Sequence, residues 1–215
     1  MKLRLLASTA LLLLVSGCSG VYYNTMEKLG FEKREILVDR VADAREAQED
    51  AKEQFASALE KFIAITRVET GELKSKYDQL NSELSRSQVR ADEVRERIVA
   101  VDDVSEALFN EWKAELKQYS DPTLRRESER QLDQTRRRYD ELMDTMRNAA
   151  SRMDPILSKF RDQVLFLKHN LNAQAIAGLS TTTRGLQDDI SRLIEDMERS
   201  IREADAFIKS MKTDS

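Results

Sequence analysis

One cysteine and one histidine are all that the chain offers toward covalent or metal chemistry. His169 has Leu165, Phe166, Asn172 and Ala173 at the i±3 and i±4 positions, so the helical ligand pairs with which zincins and di-iron bundles hold a metal are missing. No G-x-x-x-x-G-K-[ST] loop occurs, and Gly178 and Gly185 lack the following lysine that would reach a phosphate. The expectation is a chain with no metal, no cofactor and no enzymatic activity. What remains is an arginine cluster, Arg125, Arg126, Arg130, Arg136, Arg137 and Arg138, whose planar guanidinium groups could grip the phosphates of lipid headgroups or lipopolysaccharide in bidentate fashion. The plainer reading is a solvated or inter-helix charged face, because Glu127, Glu129, Asp133, Asp140 and Glu141 are interleaved and Asp133 stands four residues before Arg137. Glu93 with Arg97, Glu195 with Arg199 and Glu198 with Arg202 repeat that spacing. Trp112, with Phe109 beside it, either packs at the end of a bundle or forms an exposed aromatic contact point.

The lone cysteine has a specific setting. Lys2 and Arg4 precede an apolar run from Leu5 to Val15, which is the layout of an export signal and is too short for the roughly 20 residues of a membrane-spanning helix. Val15-Ser16-Gly17-Cys18 then resembles the lipobox of bacterial lipoproteins. The resemblance implies that residues 1–17 are removed, that the Cys18 thiol accepts diacylglycerol, and that Cys18 becomes the first residue; the alternative is an ordinary cysteine after a plain secretory signal. Ser19, in place of an inner-membrane-retaining Asp, implies sorting to the outer membrane with the chain facing the periplasm. Full acylation exceeds the two hydrophobic signals that stable anchoring needs. With Lys2 and Arg4 gone from the 35 basic residues, against 39 acidic ones, the mature net charge becomes −6. That acidity argues against nucleic acid as a partner.

The elements that must carry these residues are helical. In 215 residues there are six Gly and two Pro, 34% of the chain is charged and 6% aromatic, the balance of long helices. Glycine is absent from Glu72 through Ala177, a span over which a sheet-rich domain would need turn-formers. Leu37, Val41, Ala44, Gln48, Ala51, Phe55, Ala58, Phe62 and Ile65 alternate steps of four and three, a heptad seam with one polar interruption, and predict a helix over about 33–65. After a turn at Gly71 the alternation resumes at Leu73, Tyr77 and Leu80. It shifts phase at Asp102-Asp103, where a stutter or a break is expected, and continues through Leu108, Trp112 and Leu116 to Tyr119. Asp121-Pro122 has the order of an N-cap followed by proline at the first helical position. The third seam runs from Leu124 to Leu171 in phase through Pro155, which kinks the helix or, with Asp154 as a new cap, ends it. The last connection is expected at Gly178, Ser180 and Thr181 to Thr183, before a fourth helix from Leu186 to Met211.

The predicted architecture is all-α: an elongated antiparallel bundle or coiled coil of three to four long helices over 33–215, preceded by a lipidated N-terminus and short tether over 18–32. The turn from Lys117 to Thr123 lies at the tip of the longest hairpin, placed to project furthest from the first helix. Together with the lipobox Leu14-Val15-Ser16-Gly17-Cys18, the segments Val21-Tyr22-Tyr23-Asn24, Phe109-Asn110-Glu111-Trp112 and Arg136-Arg137-Arg138-Tyr139 make the whole chain similar to an uncharacterised family of proteobacterial lipoproteins known only as a domain of unknown function. The resemblance implies an address and no catalytic motif. The expectation is a non-enzymatic scaffold or adaptor of the cell envelope, held to the membrane through its N-terminal lipid and partnered by an envelope protein or a second copy of itself. The alternative is a BAR-like dimer that presents Arg136, Arg137 and Arg138 to anionic lipid.

Overall fold

The structure is a computed structural model that describes residues 33–66, 73–170 and 173–213. Cys18, the expected leader (1–17) and tether (18–32), Gly71 and Leu171 lie outside the described residues. Within them all residues but Tyr119, Ser120, Asp121 and Asn170 are helical. Helix α1 is Lys33–Thr66, α2 is Leu73–Glu115, α3 is Pro122–His169 and α4 is Ala173–Thr213, with a short 3-10 turn at Leu116–Gln118 between α2 and α3. At 1.5 Å per residue the helices run from about 50 Å for α1 to about 70 Å for α3.

Helix α1 packs on α2 and α4, and α3 packs on the same two, so the four helices close into a ring with α1 and α3 on one diagonal. Phe62 and Phe160 meet edge to face across that diagonal, with ring centroids 5.8 Å apart. Neighbours are antiparallel. Lys33 reaches Glu111 at one end of the α1–α2 pair and Lys61 reaches Glu83 near the other; Arg45 meets Asp205 between α1 and α4, Arg95 meets Asp154 between α2 and α3, and Arg152 meets Asp196 between α3 and α4. No described helix is long and apolar enough to cross a membrane.

Every seam residue of α1 from Leu37 to Ile65 is buried. The buried stripe is wider than the seam, because each helix of a closed four-helix bundle faces two neighbours rather than one. Ala47, Phe109, Met143, Ala150, Leu157 and Phe207, off the heptad line, are buried as well. Gln48 interrupts the core: its amide O and N are both buried without a hydrogen-bond partner, as is the Ser200 hydroxyl on α4.

The phase shift at Asp102 is a stutter, since α2 passes through it unbroken. Helix α3 likewise continues through Pro155. The lost backbone bond costs up to about 3 kcal/mol, and the burial of Met153, Ile156 and Leu157 around it offsets that cost. The last connection falls earlier than expected. Helix α3 stops at His169, where Asn170 leaves the helical region and donates both its backbone N–H and its side-chain amide to the Phe166 carbonyl. Gly178, Ser180 and Thr181 to Thr183 therefore lie inside α4. A helical glycine costs about 1 kcal/mol, which the apolar face from Leu186 to Met211 outweighs.

Only part of the molecule is a four-helix body. At the level where α1 begins, Lys33 touches Glu111 and the Arg34 guanidinium donates to the Met211 carbonyl two residues before α4 ends. Of the described residues, only α2, the 3-10 turn and α3 continue past that level. From about Trp112 through the turn to Ser128 they form a two-helix overhang, which at helical rise stands roughly 10 Å beyond the body.

Candidate functional site

The overhang is built from the turn outward. Asp121 has extended backbone, and its side-chain Oδ1 accepts from the N–H groups of Thr123 at 2.6 Å and Leu124 at 3.3 Å; Pro122 then starts α3 with φ already set and no donor left over. The two helix ends are joined by Trp112, half-buried on α2, whose indole Nε1 donates to the buried Ser128 hydroxyl at 2.8 Å. One level closer to the body, Phe109 lies edge-on to Tyr139, with centroids 5.4 Å apart, and the Arg136 guanidinium sits 5.6 Å from the Phe109 ring centroid. Below it the Tyr139 hydroxyl donates to Asp102 at 2.7 Å and Arg147 donates to the other oxygen of the same carboxylate at 2.8 Å. Burial first, and then the Asp102 carboxylate, raise the Tyr139 pKa well above that of an ordinary phenol, so this hydroxyl stays a donor. Asp102 thus ties the root of the overhang to α3 at the residue where the heptad phase slips.

The sequence-predicted residues separate here. Trp112 is a packing and hydrogen-bonding residue of the hairpin. Arg136 covers Phe109, while Arg137 and Arg138 are exposed. Three consecutive helical residues fan out at about 100° to one another, so these arginines do not form one patch. Arg125 pairs with Glu129 at 3.0 Å and Arg130 pairs with Glu127, the intrahelical neutralisation that the interleaved carboxylates imply. Several expected i,i+4 pairs form otherwise: Arg97 reaches Asp43 of α1 at 3.9 Å, Glu93 takes Arg90 at 2.8 Å, and Arg199 takes Asp196 at 3.7 Å. Arg97 finds its partner on the next helix, whereas Glu93 and Arg199 take partners three residues away on their own helix.

Two features go beyond the sequence, although the turn from Lys117 to Thr123 was itself legible as a projecting tip. Tyr119 and Leu124, both on the seam, are 43% and 57% exposed; they flank the turn at the outer end of the overhang. Glu83, off the seam, has only 1% exposure and accepts from Gln54, Lys61 and Arg86. Burial works against its charge, but the Lys61, Gln54 and Arg86 hydrogen bonds outweigh it and hold the carboxyl below the usual range. Its spacing, three residues after Leu80 and four before Ser87, is the one cue the sequence offered. A shallow groove beside Pro155 gathers Arg152, Lys159 and Arg192, and Asp196 and Asp189 already neutralise them. Among the described residues no three His, Cys, Asp or Glu side chains come together as a metal site.

A family model described as "Protein of unknown function (DUF2959)" matches residues 22–211. The chain belongs to the DUF2959 family. No curated protein matches the chain. The DUF2959 match takes in all four helices together with the overhang, so the two-helix projection is part of the family's domain and not an appendage to it.

Proposed function

We propose that this DUF2959 protein is a periplasmic lipoprotein anchored in the outer membrane through Cys18, and that its helical body serves as a non-enzymatic scaffold or adaptor in the cell envelope. The observation that carries the reading is the single cysteine of the chain, placed directly after Val15-Ser16-Gly17 at the end of an apolar run of signal length. A closed rod that buries most of its large apolar side chains in its own core, with a projecting hairpin, suits a spacer better than a catalyst. The BAR-like alternative draws less support. Arg136, Arg147 and Arg152 of α3 are engaged by Phe109, Asp102 and Asp196 of the same chain and do not spread over one outward face.

The test is metabolic labelling with a clickable fatty acid in cells, followed by membrane fractionation. Wild-type chain is expected to carry label and to sediment with the outer membrane. Cys18→Ser is expected to lose the label and to appear as a soluble periplasmic or unprocessed form. Label retained on the Cys18→Ser variant overturns the anchor.

A further inference from the structure

We infer that the tip of the α2–α3 overhang rests on the anionic lipid surface that holds the chain's own N-terminus. This goes one step beyond the lipid-anchor reading and rests on it.

Three observations converge. The first is polarity: the chain enters the body at Lys33, which lies against Glu111, so the overhang and the anchor leave the body at the same end. The second is length. Ser19 to Glu32 comprises fourteen residues, which can reach at most about 50 Å. The overhang stands roughly 10 Å beyond the body, so a leaflet holding Cys18 is within reach of the hairpin tip. The third is the surface of that tip. Tyr119 and Leu124 continue the apolar seam past the last covering helix and are exposed. Between Lys113 and Arg126 the tip carries Lys113, Lys117 and Arg126, with Arg125 already paired to Glu129, against Glu115 and Asp121, and Asp121 is occupied as the helix cap. An apolar pair ringed by excess cations is the arrangement that seats a peripheral element among anionic headgroups, and here it is carried by a mature chain that is acidic as a whole. The tether makes even a weak contact effective, because it holds the tip at high local concentration over the lipid.

The experiment replaces Cys18 of the mature chain by an N-terminal oligohistidine tag and tethers the protein to nickel-chelating vesicles with and without phosphatidylglycerol. An environment-sensitive fluorophore is placed on Ser120→Cys at the tip or on Lys74→Cys at the opposite end. The expected result is a blue shift and headgroup-quencher contact for the label at 120 on phosphatidylglycerol vesicles. That contact is lost as salt shortens the Debye length below about 8 Å, and the label at 74 stays in water. The triple variant Lys113→Glu, Lys117→Glu, Arg126→Glu is expected to lose the contact while keeping its melting temperature; if it misfolds, the salt titration of the unaltered tip answers the same question. Labels at 120 and 74 that behave alike overturn the inference, as does a tip contact indifferent to phosphatidylglycerol and salt. A photo-crosslinker at 120 that captures a protein in cells instead of lipid also overturns it. Because the nickel lipid stands in for the native anchor, failure of the tip contact and failure of Cys18 lipidation are separate results.

Discussion

In the four-helix body Leu142, Met146 and Phe160 are almost wholly inaccessible, whereas in the overhang Tyr119 and Leu124, on the same alternation of threes and fours, stand in solvent. The difference does not lie in residue type or spacing. It lies in what covers each level among the described residues: four helices around Phe160, two around Trp112, where Leu116 and Ser128 are still buried, and least beside the turn, where Tyr119 and Leu124 sit. A heptad pattern tells which face of a helix is apolar, and the count of neighbours decides whether that face is covered. The polar residues divide the same way. In the body a buried carboxylate, Glu83, draws cations from two helices, while in the overhang Ser128 and Trp112 satisfy each other within a single hairpin.

The comparison can be broken most forcefully in the body. Phe62→Ala removes a fully buried ring and its edge-to-face partner across the diagonal and is expected to cost about 3–5 kcal/mol in denaturant unfolding. A loss no larger than that of an exposed substitution would mean that the diagonal core is absent.

Next in size is Glu83→Gln, expected to destabilise by about 1–3 kcal/mol, since it leaves Lys61 and Arg86 beside a neutral amide. The pH dependence has a definite sign. A carboxylate whose pKa is lowered by folding contributes stability above its unfolded value, and that contribution is lost as pH falls through the folded value. Wild type should therefore lose more stability than Glu83→Gln on acidification below the ordinary glutamate pKa of 4.5, and the two melting curves should converge. Parallel loss in both proteins would show that Glu83 is not the acid-sensitive group.

A smaller change of opposite sign is expected at Gln48. Its buried amide lacks partners, and Gln48→Leu should raise stability by about 1–2 kcal/mol by removing that desolvation penalty. A fall in melting temperature would indicate that an internal water or a neighbouring group satisfies the amide. The smallest effect belongs to the overhang tip. Tyr119→Ser and Leu124→Ser should each change global stability by no more than about 0.5 kcal/mol, and a larger loss would mean that these side chains are covered in solution.

Much of the architecture was legible because helices announce their faces. The seams of α1 and of α3 beyond Ser128 and the Asp121-Pro122 start follow from local spacing and capping chemistry, while at Asp102 the spacing showed the phase shift but not whether α2 would break there. The early end of α3 was not, because Gly178 and the threonine run carry stronger turn signals than Asn170, and only the tertiary cover of α4 overrides them. Glu83 was obscured for a related reason: a polar residue beside a seam reads as solvent-facing until the neighbouring helix is known, whereas Gln48 was legible as the polar interruption of its seam and only its lack of partners was not. At the candidate site the sequence singled out Trp112 and Arg136 to Arg138 by composition. That one Arg would cap Phe109 and that Tyr119 and Leu124 would be left uncovered depends on where α1 begins and α4 ends, which no local pattern encodes.

The contrast between body and overhang is tested most directly by native-state amide hydrogen exchange of residues 19–215 in the absence of lipid. Local opening should let the segment from Trp112 to about Ser128 exchange orders of magnitude faster than Leu142 to Phe160 of the same α3 helix, whose amides should open only with global unfolding. Uniform protection along α3 would contradict the account, since it would mean that the helix ends beyond the body are as fully packed as its core.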